Sequence, residues 1–354
     1  MRKRHFSIIV LLFVFVVTGG GCISFSSTKS VDGGVFRSDD SAETWVQKVF
    51  VRQEKKNTVA INNVNAKTIL FHPDDENTIY LGTEGNGIWK TTDRGEQWTA
   101  FGVTSGNYST ISIDPLSPET VYTATGSSII KTVDDGKNWE TIYLEPRNQP
   151  IVSVNVDYYE TSRLIAATQD GQVIESIDYG ETWTTLETTS PLKAIIKKMY
   201  INPSNTRIVY AVANTGIYKS TDKGNNWTSI TEDFVNYTGA ETVNWFTFTE
   251  KDPDILYIAT NYGILKSPDA GATWQPITTL FPFGSVPIST VDVNPDNHDE
   301  IYFTIGKVIH KTTDGSTTWK TIETFPSGRL ITHILVDRET PETIYTGTYA
   351  QKKK

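Results

Sequence analysis

The sequence predicts an all-β protein, a seven-bladed β-propeller of four-stranded antiparallel blades. Three observations predict it. A short motif, Ser/Thr-x-Asp-x-Gly-x-x-Trp, occurs seven times along 354 residues. Its copies are Ser38–Trp45, Thr91–Trp98, Thr132–Trp139, Ser176–Trp183, Ser220–Trp227, Ser267–Trp274 and Thr312–Trp319, with Ala42 and Ser316 standing where the others have Gly. The motif Asp residues follow one another at 53, 41, 44, 44, 47 and 45 residues, a period that suits one four-stranded blade. Finally, the two ends are complementary halves. The first motif is preceded only by a third strand near Gly34–Arg37, and after the last motif come only two strands, Leu330–Asp337 and Thr343–Thr348. Six whole blades and one composite blade make seven, and sharing strands between the termini leaves no open sheet edge.

Within a unit the order is the same each time. A first strand such as Thr68–Phe71 ends in a turn carrying Pro, where a missing N–H does no harm. A second strand such as Thr78–Thr83 and a third such as Gly87–Lys90 follow. The motif then turns the chain into a fourth strand that begins at the Trp. In that turn the hydroxyl and the carboxylate can accept backbone N–H groups a few residues on. Gly supplies a left-handed backbone conformation. The Trp is expected to act as a buried plug whose indole N–H needs a partner. Seven of the nine tryptophans in the chain are spent this way: Trp45, Trp98, Trp139, Trp183, Trp227, Trp274 and Trp319. The paired carboxylates are Asp40, Asp93, Asp134, Asp178, Asp222, Asp269 and Asp314. Their regular placement reads as structural, neither catalytic nor metal-ligating, since one Asp per turn supplies too few oxygens for calcium.

The amino terminus reads differently. Arg2-Lys3-Arg4-His5 precedes an apolar run from Ile8 to Val17 and the small residues before Cys22, the only cysteine. This pattern predicts a secretory signal over 1–22, too short to span a membrane, with Cys22 as a lipid-attachment site and 23–32 as a flexible tether to a propeller over 33–350. A protein of the bacterial cell envelope, exported and lipid-anchored on the periplasmic or extracellular side, is the expectation. With 32 Lys and Arg against 41 Asp and Glu the formal charge is −9, and loss of the three cations in 1–22 leaves −12. So acidic a chain disfavours nucleic acid as a partner.

The motif resembles the Asp-box, or BNR repeat, of sialidases, sortilin-type receptors, xyloglucan-degrading enzymes and photosystem II assembly factors. Sialidases carry an Arg-Ile-Pro stretch and an arginine triad, and this sequence has no Arg-Ile-Pro. The xyloglucan-degrading family resembles two such propellers clasping a cleft, with an Asp from each. The assembly factors resemble this chain in build, as single lipid-anchored rings, although they offer a basic, Arg-rich patch. The resemblance implies a non-catalytic scaffold, monomeric and without cofactor or metal, that holds a protein or peptide. The four histidines after the signal lack metal-ligand spacing, and His333 reads as a channel-lining residue.

Turns after second strands and the fourth-to-first connections should share the face opposite the Asp-boxes. Two connections there are long and aromatic, Asp233–Asn244 leading into Trp245 and Leu280–Pro287. The candidate ligand-binding residues are therefore Tyr237, Trp245, Phe281 and Phe283. The competing reading is a glycoside hydrolase or glycan-binding propeller using carboxylates of that face, Glu84, Asp170 and Glu241.

Overall fold

The computed structural model describes residues 32–186, 192 and 194–351. The predicted signal and Cys22 lie outside the described residues. Seven antiparallel blades of four strands form the ring, beginning at Ala66, Ile111, Ile151, Ile196, Val243, Thr290 and Leu330, and are numbered as blades 1 to 7; in blade 1 a fifth short strand, Gly106–Asn107, also pairs with the second. No α-helix is present among the described residues, only a 3-10 turn at Glu232–Asn236.

Blade 7 is the composite. Leu330–Val336 and Ile344–Tyr349 from one end join Val35–Ser38 and Val46–Lys48 from the other. Phe36 pairs with Thr346 and Arg37 with Tyr345. The Thr348 N–H and hydroxyl both donate to the Gly34 carbonyl, at 3.1 Å each. In blades 1, 3 and 5 the same double bond closes the second-to-third turn, from Thr83 to Gly87, Thr168 to Gln172 and Thr260 to Gly263. The joint thus reproduces an ordinary blade with its chain interrupted at the turn. Asp32, placed in the tether by sequence, belongs to this joint. Its carboxylate accepts from Arg329 Nε (3.3 Å) and the Gly328 N–H (2.8 Å).

The Asp-box turn is alike in all seven copies. The hydroxyl donates to the Asp Oδ1 at 2.7–2.9 Å. It accepts the N–H at the Gly position, four residues on, at 2.7–3.1 Å. Asp Oδ1 in turn accepts the N–H four residues beyond itself. Two consecutive residues are left-handed, where the sequence suggested only the Gly. The residue after each Asp has φ between 56° and 64°, and the Gly position between 81° and 92° or, at Ala42 and Ser316, 71° and 77°. In blade 6 the geometry is unchanged, but Gly stands one place early, at Gly315, the first of the two positions, and Ser316 takes the second. The first left-handed residue donates its N–H to the first-to-second turn of the same blade, as Arg94 does to Asn77 and Lys223 to Arg207. That bond puts both turns on one face of the ring.

The tryptophans fill the seams between blades. Trp98 is fully buried, and Trp45, Trp227 and Trp274 nearly so, whereas Trp139, Trp183 and Trp319 are half-buried. The indoles of Trp98, Trp274 and Trp319 donate to Lys48, Ile230 and Thr278 of the preceding blade. Those of Trp139 and Trp227 have no partner, so burial rather than a hydrogen bond holds them. The long first interval contains a hairpin the sequence reading missed, Phe50–Glu54 with Asn57–Ala60, whose Val51 packs into the cluster around Trp98.

Candidate functional site on the loop face

The connection between blades 4 and 5 and that between blades 5 and 6 converge on the turn Asn261–Gly263. Tyr262, at the tip of that turn, stacks on Phe283 with ring centres 4.8 Å apart and planes 4° from parallel. Tyr237 also packs on Tyr262, with ring centres 5.3 Å apart and planes tilted by 54°. The three rings form a continuous ladder, with Phe283 41% exposed at its outer end. Several bonds fix it. The Tyr237 hydroxyl donates to the Trp274 carbonyl at 3.1 Å, and the Gly284 N–H donates to the Tyr262 carbonyl at 2.7 Å. Gly239 and Gly263 permit the approach: a β-carbon at Gly263 would lie 3.3 Å from the Phe283 ring, and one at Gly239 equally near the Tyr262 backbone. Tyr237 and Tyr262 are half-buried against the core around Phe234 and Trp274, and rings held in this way lose little freedom when they receive a ligand.

Of the four aromatic residues expected here, Tyr237 and Phe283 meet in the ladder. Phe281 turns inward, its ring 5.3 Å from His310 in the blade 5–6 core. Trp245 lies on the first strand of blade 5, with its ring edge-on to His333 of blade 7 at 5.0 Å. Tyr262 is not among the residues the sequence analysis expected to bind. Its signal is position, because an aromatic stands where the corresponding turns of blades 1, 2 and 4 carry Glu84–Asn86, Ser127 and Asn214.

The candidate carboxylates are held separately. Glu84 in blade 1 accepts from the Asn65 amide at 2.9 Å. Asp170 in blade 3 pairs with Arg147 at 2.8 Å. Burial opposes ionisation of Asp170, but the Thr168 hydroxyl and Arg147 outweigh it and hold the carboxyl below its usual range. Glu241, between blades 4 and 5, accepts the Gly239 N–H at 2.9 Å. No cluster of His, Cys, Asp and Glu suited to a metal occurs among the described residues.

First strands surround an axial cavity of about 190 Å³, bordered by Asn155, Tyr158, Lys198, Tyr200, Glu250 and Arg338. Arg338 crosses its mouth, donating to the His72 and Pro73 carbonyls of blade 1 and pairing with Glu250 of blade 5 at 2.9 Å. Lys198 lies over the Tyr200 ring, and burial lowers its pKa to about 8.

Seven motif turns, seven seam tryptophans and a ring closed by its own termini define an Asp-box propeller. The sortilin and Vps10 profile, described as sortilin, neurotensin receptor 3, matches residues 127–263. Among solved structures the chain is similar to the GH74 xyloglucanase from Xanthomonas campestris. The two are 14% identical with a TM-score of 0.61, over 81% of this chain and 51% of that one. The GH74 enzyme from Niastella koreensis is 18% identical with a TM-score of 0.63, over 85% of this chain and 53% of that one. YCF48 bound to a D1 peptide is 15% identical with a TM-score of 0.62, over 82% of this chain and 94% of that one. The chain thus spans about half the length of the GH74 enzymes. At such identities the likeness is one of fold. The comparison with curated proteins finds no match.

Proposed function

We propose that this propeller is a non-catalytic binding platform that holds a protein or peptide segment on its loop face. The observation that carries the reading is the Tyr237–Tyr262–Phe283 ladder, a preorganised aromatic surface whose side chains the repeat itself does not require. The structural likeness to YCF48 with a bound peptide supports a peptide partner, as that protein too is nearly spanned by one such ring. In this reading Cys22 carries the lipid anchor and the ring stands outside the membrane, in monomeric form. Replacing Cys22 with Ser should move the protein from the membrane to the soluble fraction and abolish labelling by radioactive palmitate.

The site is tested with a Tyr262→Ser/Phe283→Ser variant. In-cell cross-linking of the wild type should join specific envelope proteins to this face, and the variant should lose them while still unfolding in a single transition. Identical cross-links from both would remove the ladder from the function. A second reading, glycan binding or hydrolysis, draws on the fold shared with the GH74 enzymes and on the flat ring face, which would also suit a sugar. Reducing sugar released from a polysaccharide by the wild type, but not by a Glu84→Ala/Asp170→Ala/Glu241→Ala variant, would overturn the non-catalytic platform.

A further inference from the structure

The opposite face carries an apolar surface that the repeat does not explain. In blade 2, Leu116 of the first-to-second turn is 70% exposed and Val133 of the Asp-box 56%. In blade 3, Tyr159 is 66% exposed, Ile177 70% and Tyr179 47%, with Tyr158 beside them at the cavity mouth. Sevenfold repetition supplies the control. The residue before each Asp is Val133 and Ile177 in these blades but Asp39, Thr92, Thr221, Pro268 and Thr313 elsewhere. At the turn, two residues beyond the one whose N–H closes it, Leu116 and Tyr159 answer to Asp74, Ser204 and Glu339. Fold maintenance therefore does not demand these side chains. The blades are also tied together here, since Lys131 of blade 2 donates to the Tyr179 carbonyl at 3.1 Å. An exposed apolar patch of this kind marks an interaction surface.

The surrounding charge identifies the partner. The segments 114–120, 132–139, 157–163 and 176–183 hold eight carboxylates and two cations, Lys137 and Arg163. Asp114 and Asp157 are buried, and Asp135 and Glu160 pair with Lys90 and Lys223, which leaves Glu119, Asp134, Asp178 and Glu181 around the patch. Arg163 is buried against Asp157 and Glu175. Backbone and Asn138 hydrogen bonds hold the Asp134 carboxyl at a pKa of about 2, and the Thr182 hydroxyl and N–H do the same for Asp178, so both stay ionised. A membrane surface bearing anionic headgroups would be repelled. A second copy presenting the same face would bring like charges together. We infer that blades 2 and 3 dock, on the Asp-box face, a protein segment whose apolar side chains are flanked by lysines or arginines. The platform would then have two working faces, one for each of two partners.

The test uses the chain from residue 32 onward, a Tyr159→Ser/Ile177→Ser variant, and Val235→Ser as an exposed apolar control. The probe is a fluorescent peptide of alternating Leu and Lys residues, with its Glu-for-Lys counterpart for comparison. Both altered side chains are exposed, so the unfolding midpoint should not change. The wild type and Val235→Ser should bind the Lys peptide, the patch variant roughly tenfold more weakly, and none should bind the Glu peptide. Added salt should weaken the complex. Equal affinity of wild type and patch variant for the Lys peptide would overturn the inference, as would equal affinity of the wild type for both peptides. So would patch-dependent sedimentation with phosphatidylcholine or phosphatidylglycerol vesicles, or a patch-dependent dimer, because each assigns the surface to another occupant. The Tyr262→Ser/Phe283→Ser variant should bind the Lys peptide normally, which separates this face from the loop face.

Discussion

At the scale of single residues, the blades reveal a substitution that packing between neighbouring blades explains. In six blades a second-strand Tyr, fully buried, pairs across the sheet with a third-strand cation: Tyr80 with Lys90, Tyr122 with Lys131, Tyr210 with Lys219, Tyr257 with Lys266, Tyr302 with Lys311 and Tyr345 with Arg37. Four of these cations donate to the next blade's Asp-box carbonyl, as Lys219 does to Ala270 at 2.8 Å and Lys311 to Ser41 at 3.1 Å. Blade 3 has Ile165 opposite Glu175 instead, and Arg163 takes over the reach, donating to the Lys223 carbonyl at 2.6 Å while Glu175 holds it. Arg163→Ala should therefore strand the buried Asp157 and cost about 3–5 kcal/mol, read as a lower urea midpoint at unchanged slope. A loss no larger than that of a surface arginine would mean the pair is dispensable. A second residue, Asp292, replaces the hydroxyl with which Ser112 of blade 2 accepts the next blade's N–H, and itself accepts Val336 N–H at 2.9 Å. Burial raises its pKa to about 7 from an ordinary 3.8, outweighing the bonds from Val336, Val293 and Thr247. The folded chain then holds a proton that the unfolded chain releases, so this residue's contribution to stability falls as pH rises from about 4 to about 7. His310 and His333, lowered by burial to about 4 and about 3, have the opposite sign, removing stability as pH falls below 6.5. The difference between wild type and Asp292→Asn isolates the carboxyl. The wild-type midpoint should decline relative to the variant across that window, and a flat difference would contradict the role of burial.

At the scale of elements, the Asp-box was legible because its chemistry is local. Hydroxyl, carboxylate and Gly act within one turn, so seven spaced copies announced the turns, and the turns bounded the strands. The first left-handed residue was not legible. Arg94, Asp135, Tyr179, Lys223 and Ala270 share no chemistry, and only their N–H bonds to the neighbouring turn impose the conformation. The ladder was half legible for a similar reason. Length and aromatic content singled out Tyr237 and Phe283, but nothing local distinguishes Phe283 from Phe281, which a neighbouring core claims through His310. Two motif copies depart from Gly, and one gives a clean test. Ser316 adopts φ of 77° with its side chain half-buried. A left-handed residue bearing a β-carbon costs roughly 1–2 kcal/mol, part of which Gly repays in unfolded-chain entropy. Ser316→Gly should thus stabilise the ring by about 0.5–1 kcal/mol, seen as a higher thermal midpoint, and a lower midpoint would show that the position is unstrained.

For the whole molecule, the decisive feature is closure. A propeller has no central core, because each blade packs only on its neighbours, and an open ring would leave two unsatisfied faces and two strand edges. Here the seam lies inside blade 7. Val35, Phe36 and Tyr345 are buried at that seam, Arg94 of blade 1 reaches Asp337 at 2.8 Å, and Arg329 spans Asp32 and the Asn63 and Val64 carbonyls. Removing residues 343–354 deletes the strand to which Val35–Ser38 pairs, and so exposes the first strand of the blade and the face of blade 1 together. That protein should fail to fold to a soluble monomer by size-exclusion chromatography with light scattering. A permuted chain, with Gln351 joined to Asp32 by a short glycine linker and new ends at Gly284, keeps every strand pair. It opens only an exposed turn in which a β-carbon at Gly284 would meet no atom within 4 Å. It should remain a monomer and unfold in a single transition. A folded, monomeric truncation would mean that six blades close without the terminal strand, and an aggregated permutant would mean that the order in which strands emerge, rather than the seam they form, holds the ring together.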